Sequence, residues 1–109
     1  MVPEAADVIV QISSIAVAKA KTAEYLDRLH RDAIPAYETA QGIVSIQLLC
    51  RSLVAYDELL TISVWESEEA LMRFRETRLV TDEPSDLRGI ESVPRTYELV
   101  MLRKPDGVR

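Results

Sequence analysis

Four runs rich in apolar residues, separated by two segments with helical spacing, organise this chain. The runs cover residues 7–17, 43–51, 59–65 and 95–102. β-Branched and aliphatic residues dominate them and alternate with polar ones, which predicts strands. The polar link at residues 56–58 predicts a turn, so the second and third strands are expected to form an antiparallel hairpin.

The first helical segment follows the first strand. One predicted helical face carries Leu26, Leu29, His30, Ala33 and Tyr37. Thr22 is predicted as the N-cap. Pro35 lacks an amide hydrogen, so we expect it to kink or end the helix near residues 33–34.

The second helical segment starts directly after the third strand. Ser67 is a good N-cap, and the acidic pair Glu68 and Glu69 suits the positive end of a helix dipole. This helix is predicted to run to about residue 78 or 79. The polar connector after it, residues 80–95, is predicted to hold one short helical turn at residues 85–88.

The order β-α-β-β-α-β predicts an α+β, ferredoxin-like fold. A four-stranded antiparallel sheet with strand order 4-1-3-2 and both helices on one face follows from it. A single domain is expected over residues 1–109, with its core at 8–102 and a fraying tail at 103–109.

Apolar residues occur on both faces of the predicted sheet, whereas one helical layer covers a single face. The more apolar face is predicted to carry Val8, Val10, Ile12, Ile46, Leu48, Leu60, Ile62, Val64, Leu99 and Met101. Packing of two sheets face to face would cover the remaining apolar surface, so we expect a homodimeric barrel.

Four polar residues interrupt the two central strands: Gln11 and Ser13 on the first, and Thr61 and Ser63 on the third. Buried polar groups need hydrogen-bonding partners. One interpretation is a set of small side chains that bond to one another in a moderately wet layer. The alternative is a small-molecule pocket with a few fixed polar groups.

Composition narrows the possible partners. The net charge is −5, and the basic residues form no stripe, so neither nucleic acid nor an anionic membrane is expected. No apolar run approaches the length of a membrane span. Cys50 is the single cysteine, which suits a reducing cytoplasm, and the first ten residues predict no secretory signal.

Three residues are candidates for direct chemistry. Trp65, the single Trp, is interpreted first as a large apolar residue at a strand–helix junction and alternatively as a pocket wall. His30 is the one side chain whose usual pKa suits proton transfer near neutrality, although a structural histidine is favoured over a catalytic base. Tyr37 shares the predicted face of His30 and is a pocket candidate. No metal site is expected, because one His and one Cys without a carboxylate cluster are a weak signal.

Three segments of the sequence resemble a known family. They are "PAYETAQGIVSIQLL" (35–49), "VWESEEALMRF" (64–74) and "YELV" (97–100). In order and composition they resemble the antibiotic-biosynthesis monooxygenase family of dimeric α+β barrels, over residues 8–102. That superfamily includes cofactor-free oxygenases of phenolic or quinol substrates, haem-degrading members, isomerases and proteins without an assigned function.

The resemblance also tests the haem-degrading branch, whose members have an Asn on the first strand and a Trp and a His on the second helix. Here Ser13 falls at the Asn position and Phe74 at the Trp position, and no His follows His30. An imidazole ligand for iron is therefore missing from the expected place.

The resemblance implies a monooxygenase that acts on a small aromatic or quinol-type substrate, without a bound cofactor and as a homodimer. Gln11, Ser13, Tyr37, Thr61, Ser63 and Trp65 would contact the substrate, and His30 would act as the catalytic base. The rival expectation is a non-catalytic dimer that binds a small molecule or has a structural role.

Overall fold

The computed structural model describes residues 8–78, 90–91 and 94–103. Its strands are β1 (Ile9–Ala18), β2 (Ile43–Ser52), β3 (Tyr56–Trp65), β4 (Ile90–Glu91) and β5 (Arg95–Glu98). A 3₁₀ turn at Lys19–Lys21 leads into α1 (Thr22–Arg28), a π-helical turn (Leu29–Ala33) and α2 (Ile34–Glu38), and α3 (Glu68–Arg78) follows β3.

The sheet is antiparallel, with β2 paired to β3, β3 to β1, and β1 to both β4 and β5. β1 and β3 are therefore central, and the predicted order 4-1-3-2 and ferredoxin-like plan are confirmed. The β1–β3 register sets Ile9 opposite Trp65 and Ala18 opposite Tyr56. Both helical segments lie on one face of this sheet, since the buried residues of α1 and α3 pack with buried residues of β1 and β3.

The first helical segment extends to Glu38, and its regular hydrogen bonding is interrupted at the π-helical turn Leu29–Ala33, which agrees with the predicted kink near residues 33–34. Pro35 cannot donate a backbone hydrogen bond to the preceding turn, and its ring crowds that turn. The chain accommodates it through the π-helical turn Leu29–Ala33 immediately upstream. A π-turn inserts one extra residue per turn and thus rotates the following residues around the helix axis.

The hairpin between β2 and β3 is tighter than predicted. Residues 56–58 belong to β3, so their prediction as a turn is wrong, and the connection is residues 53–55. The Leu53 amide donates to the Tyr56 carbonyl at 2.8 Å and closes the loop. Long-range pairing outweighs local polarity here, because Asp57 lies opposite Val17 and Glu58 opposite Ala16 on β1.

The last strand is shorter than the predicted 95–102. β5 ends at Glu98, and one further backbone bond, from Leu99 N–H to the Val8 carbonyl at 2.9 Å, extends its contact with β1. The two-residue strand β4, which pairs with Ile15 and Ala16, was not predicted. The predicted helical turn at 85–88 and tail residues 104–109 lie outside the described residues.

A bulge in β2 changes which of its side chains face the helices. The register with β3 shifts between Ile43 and Ser45. As a result Ile46 lies opposite Ser63 and Leu48 opposite Thr61, on the helix-covered face. The prediction that Ile46 and Leu48 share a face with Leu60, Ile62 and Val64 is therefore wrong, because one extra residue reverses the alternation.

The start of α3 is capped as predicted, whereas the start of α1 is not. The Ser67 hydroxyl accepts a hydrogen bond from the Ala70 amide at 3.2 Å. Thr22 is instead buried inside the first turn, and its hydroxyl donates to the Ala18 carbonyl at 3.3 Å. The prediction of Thr22 as N-cap is therefore wrong.

Gly42 joins the first helical segment to β2 with a φ of +87°. A side chain is strained in that backbone region, and an added Cβ would lie 2.5 Å from the Cβ of Ala70. Glycine here lets α3 pack directly against the start of β2.

Two separate apolar clusters fill the layer between sheet and helices. The Trp65 cluster contains Ile9, Trp65, Ala70 and Leu71, with Tyr37, Ala40, Ile43 and Phe74 packed against it. The Tyr25 cluster contains Ile15, Val17, Tyr25 and Leu59, with Leu26, Leu29 and Leu48 packed against it. The polar residues of β1 and β3 lie between the two clusters.

Candidate functional site

The four polar residues of the central strands form two adjacent cross-strand pairs. Gln11 lies opposite Ser63, and Ser13 lies opposite Thr61. Directly opposite residues share a face of the sheet, and these alternate with the outward residues Val10 and Ile12. We call these four residues the polar band. The band faces the helices, as the alternation of residues along β1 and β3 predicted.

A cavity of about 130 Å³ lies at one side of the polar band. Its wall includes Ser13, Ile15, Tyr25, Leu59, Thr61 and Pro94. Two predicted substrate-binding residues, Ser13 and Thr61, therefore line a common space. The wall combines aliphatic side chains with hydroxyl groups, the mixture typical of small-molecule sites. We call this space the Tyr25 cavity.

Gln11 and Ser63 do not line the Tyr25 cavity, although they adjoin the residues that do. Both side chains are buried, with 8% and 1% of their surface exposed. Ser63 is already hydrogen-bonded, because the Trp65 indole Nε1–H donates to its hydroxyl at 2.9 Å. This bond gives the indole N–H its acceptor, and it holds the Trp65 ring beside Ser63 at the junction of β3 and α3.

Trp65 and Tyr37 lie in the Trp65 cluster, on the far side of the polar band from the Tyr25 cavity. Trp65 is fully buried. Its ring centroid is 5.1 Å from that of Phe74, and the Phe74 centroid is 4.5 Å from that of Tyr37. These three aromatic side chains pack on one another at the strand–helix junction, which agrees with the interpretation of Trp65 as a large apolar core residue.

His30 is exposed, in the π-helical turn, so its predicted placement on the inner helical face is wrong. Its ring Nδ1–H donates to the Leu26 carbonyl at 2.9 Å, which leaves Nε2 directed away from that bond. The structure therefore does not bring His30 together with the polar band within one chain.

Tyr25 is the cavity residue that the sequence interpretation missed. It is 6% exposed and contributes to the cavity wall. The spacing of Thr22, Tyr25, Leu29 and Ala33 fits a helical face shifted slightly from the predicted one. Three of these residues, Thr22, Tyr25 and Ala33, are buried, so this spacing was the available signal.

A second and larger hollow, of about 350 Å³, lies between α2 and α3. Its wall includes Ala36, Thr39, Ala40, Ala70, Arg73 and Phe74. The Thr39 hydroxyl donates to the Pro35 carbonyl at 2.9 Å, so its hydrogen is used within the helix. None of the predicted substrate-binding residues lines this hollow, and we therefore assign the candidate site to the smaller Tyr25 cavity.

A polar clasp closes the outer end of the Tyr25 cluster. The Lys19 ammonium donates to Asp57 Oδ1 at 2.9 Å and also contacts the Ser52 hydroxyl. The hydrogen bond from Lys19 and the charge of Lys19 lower the pKa of the Asp57 carboxyl. The clasp joins the start of the helical layer to the β2–β3 hairpin.

Residues 8–78, 90–91 and 94–103 contain neither a cluster of metal-ligating side chains nor a membrane-spanning helix. Among their side chains no group of three or more His, Cys, Asp or Glu is arranged to hold a metal ion. No helix in this part of the chain has the length and apolarity required to span a bilayer.

The family model for antibiotic biosynthesis monooxygenase matches residues 8–82. That match covers most of the chain, including both central strands and the polar band. The chain therefore belongs to the antibiotic biosynthesis monooxygenase family.

Solved structures share the fold at low sequence identity. A mutant of SnoaB, a cofactor-independent oxygenase from Streptomyces nogalater, matches with a TM-score of 0.64 and 19% identity over 94% of this chain and 100% of its own. The haem-degrader MhuD from Mycobacterium tuberculosis matches with a TM-score of 0.68 and 22% identity over 88% and 99%. No curated protein matches this chain significantly in sequence.

Proposed function

We propose that this protein is a monooxygenase that oxidises a small aromatic or quinol-type substrate with dioxygen and without a bound cofactor. The observation that carries the proposal is the Tyr25 cavity, where the hydroxyls of Ser13 and Thr61 meet Tyr25 beside apolar walls. Family membership and the printed activity of SnoaB as a cofactor-independent oxygenase support the same chemistry.

The proposed reaction places modest demands on the protein. A phenol with a free para position would lose its proton, and the phenolate would add dioxygen at the para carbon. Loss of the para hydrogen and cleavage of the O–O bond would then give a para-quinone and water. One oxygen atom enters the product, the other leaves as water, and the substrate supplies all four electrons.

The chain's contribution would be to bind, orient and desolvate the ring. Hydrogen bonds from Ser13 and Thr61 would stabilise charge that develops on the ring oxygen. The buried side chains of Ile15 and Leu59, 8% and 1% exposed, would hold the ring and exclude water.

Haem is disfavoured as a substrate or cofactor for this chain. Ser13 and Phe74 occupy positions where haem-degrading relatives are expected to carry Asn and Trp, and no His follows His30. Phe74 is packed into the aromatic core with Tyr37 and Trp65.

The active form is proposed to be a homodimer, with a cytoplasmic location. Apolar side chains on the sheet face opposite the helices support the dimer: Val10 pairs with Val64, and Ile12 pairs with Ile62. Each is half-buried, and the described helices pack on the other face of the sheet. A second copy would bury this surface.

A sedimentation experiment tests the dimer. We expect a species of twice the 12.3 kDa chain mass at micromolar concentration. Ile62→Lys would place a charge in the proposed interface and shift the protein to monomers. Wild-type protein that sediments only as a 12.3 kDa species would contradict the dimer.

The rival function is a non-catalytic binding or structural dimer. The Trp65–Ser63 hydrogen bond favours it, because it shows that part of the polar band is satisfied within the protein. In that case the polar band would be a packing feature, and oxygen would not be consumed.

Oxygen uptake with a series of electron-rich phenols separates the two functions. We expect catalytic quinone formation with one atom of ¹⁸O₂ incorporated, and a reduced rate in Thr61→Val. Thr77→Val, an exposed threonine on α3, is the matched control and should keep the wild-type rate. No uptake above the buffer rate with any phenol would refute the oxygenase and leave the binding dimer.

A further inference from the structure

We propose that Gln11 determines the substrate specificity of the candidate site, and that its side-chain amide binds an aromatic ring with two adjacent hydroxyl groups, as in catechol. This inference rests on the proposed function, because it names the substrate class and a specificity-determining residue for the same site. It starts from a buried amide that the described part of the protein leaves without a hydrogen-bonding partner.

Gln11 lies on the helix-covered face of β1, between the Trp65 cluster and the Tyr25 cluster, with 8% of its surface exposed. Within residues 8–78, 90–91 and 94–103, its side-chain amide makes no hydrogen bond to a side chain or to the backbone. Buried amides are rarely left unpaired, because they lose their bonds to water when the chain folds. The unpaired Gln11 amide therefore indicates that another molecule supplies its partner.

The nearest polar neighbours of Gln11 do not serve as that partner. Ser63 lies directly opposite on β3, but its hydroxyl accepts the hydrogen bond of the Trp65 indole. Thr96 lies opposite on β5 and is exposed. Cross-strand neighbours on one face are close enough to interact, so the lack of a bond to either one leaves both polar atoms of the amide for a ligand.

Two further side chains connect Gln11 to the Tyr25 cavity. Ser13 lies two residues along β1, roughly 7 Å away on the same face, and Thr61 lies opposite Ser13. Both line the cavity, and neither hydroxyl makes a hydrogen bond within the residues that the structure describes. A ligand in this partly open cavity can therefore bond to Ser13 or Thr61 with one edge and to Gln11 with the next.

The amide itself indicates which groups the ligand carries. A glutamine side chain presents an N–H donor and a carbonyl acceptor side by side in one plane. Two adjacent ring hydroxyls match this pair, because one donates to Oε1 while the oxygen of the other accepts from Nε2–H. A single phenol hydroxyl cannot align with both atoms, and two hydroxyls in meta positions are too widely separated to face one amide.

The proposed oxygenation selects the diol from the other groups that match an amide. Carboxylic acids and amides also present a donor beside an acceptor, but two hydroxyls make the ring electron-rich. With the substrate proton lost to solvent, the Gln11 N–H would stabilise the charge on the ring oxygen. Dioxygen adds at the free carbon para to that oxygen. Loss of the para hydrogen and cleavage of the O–O bond give 2-hydroxy-1,4-benzoquinone and water, and catechol supplies all four electrons.

Calorimetric titration of the wild-type protein without oxygen tests the specificity. We expect catechol to bind at least tenfold more tightly than phenol and than resorcinol, the meta isomer of catechol. Resorcinol is the matched ligand, because it has the same two hydroxyls in the wrong positions. Equal affinities for the three ligands, or no binding of catechol, would overturn the inference.

A pair of glutamine variants tests the residue. Gln11→Leu removes both polar atoms at similar volume and should weaken catechol binding about tenfold, with phenol binding nearly unchanged. Without ligand, its free energy of unfolding should equal or exceed that of the wild type, because an unpaired buried amide is removed. Gln41→Leu, which changes an exposed glutamine in the turn before β2, is the control and should behave as wild type.

The outcomes distinguish this inference from the proposed function. A large loss of stability in Gln11→Leu with an unchanged preference for catechol would show that the amide holds a structural water, and would overturn the inference. Oxygen uptake with equal kcat/KM for phenol and catechol would remove Gln11 from specificity while the oxygenase stands. Tight catechol binding without oxygen uptake would support the Gln11 contact and refute the oxygenase. The ligand ranking needs no variant, so it decides the question if Gln11→Leu does not fold.

Discussion

The two ends of the layer between sheet and helices are built from similar amounts of apolar material but packed differently. At one end, the Trp65 cluster brings three aromatic rings together with centroids 4.5, 5.1 and 6.4 Å apart. At the other, the Tyr25 cluster borders a cavity of about 130 Å³. The polar band separates the closed end from the open one.

This difference shows that a large aromatic side chain near polar residues need not mark a binding site. Trp65 has no exposed surface, and its polar atom is satisfied by Ser63. Tyr25 is nearly as buried, yet it contributes to the wall of a cavity with Ser13 and Thr61. Space for a ligand is therefore found where packing is incomplete, not where aromatic residues are most concentrated.

Truncation of Trp65 should have the largest effect on stability. We expect Trp65→Ala to lower the free energy of unfolding by about 3–5 kcal/mol, because the surrounding rings cannot fill the space left. Urea denaturation followed by circular dichroism measures this change. A loss below about 1 kcal/mol would mean that the Trp65 end is not tightly packed.

Leu59→Ala makes the corresponding change at the open end. We expect a loss of about 2–4 kcal/mol, in the usual range for a buried Leu, together with an enlarged Tyr25 cavity. The variant should be restabilised by 1-naphthol, whereas Trp65→Ala should not, and thermal unfolding with and without that ligand measures the difference. Stabilisation of both variants would show that the ends do not differ in ligand access.

The Ser63 hydroxyl tests whether the polar band supports the closed end. We expect Ser63→Ala to cost about 1–3 kcal/mol, because it leaves the buried Trp65 N–H without its acceptor. Thr61→Val, one step along the same face, should cost less, since Thr61 borders the cavity. Equal losses in urea denaturation would indicate that the two halves of the band have the same role.

The smallest expected effect concerns the clasp of Lys19, Ser52 and Asp57 next to the Tyr25 cluster. This effect on stability depends on pH. The Asp57 pKa is lowered in the folded protein, so its ionised form favours folding. That stabilisation is complete above the unfolded pKa of Asp, about 3.9, and is lost as pH falls through the folded value.

Asp57→Asn should remove this contribution, so its stability should fall less than that of the wild type as pH falls below about 4. Thermal unfolding of both proteins at a series of pH values provides the comparison. Parallel pH dependence would show that the clasp with Lys19 is absent in solution. The Asp32→Asn variant, which changes an exposed carboxyl on the π-helical turn, is the control.

Local patterns predicted the architecture well because strand alternation and helix capping depend on neighbouring residues. The alternation of β1 and β3 placed Gln11, Ser13, Thr61 and Ser63 on one face, and Ser67 correctly marked the start of α3. The errors lie where distant contacts dominate. Asp57 is polar enough for a turn, but pairing with β1 keeps it in β3.

The candidate site was only partly predictable for the same reason. Ser13 and Thr61 were identified and do line the cavity, whereas Trp65 and Tyr37 fill the core and His30 lies outside it. The choice of Tyr25 over Tyr37 depends on which helical face meets the sheet. The face that meets the sheet is changed by the π-helical turn Leu29–Ala33, which no local spacing in the sequence specified.

The sequence by itself determined the order of elements, the central position of β1 and β3, the common face of the polar band and the family resemblance. These features follow from residue periodicity and from motifs a few residues long. The tertiary structure alone decided which end of the helical layer is closed and which has room for a ligand. That difference is set by how side chains from separate segments fill a common volume, and a linear pattern does not record volume.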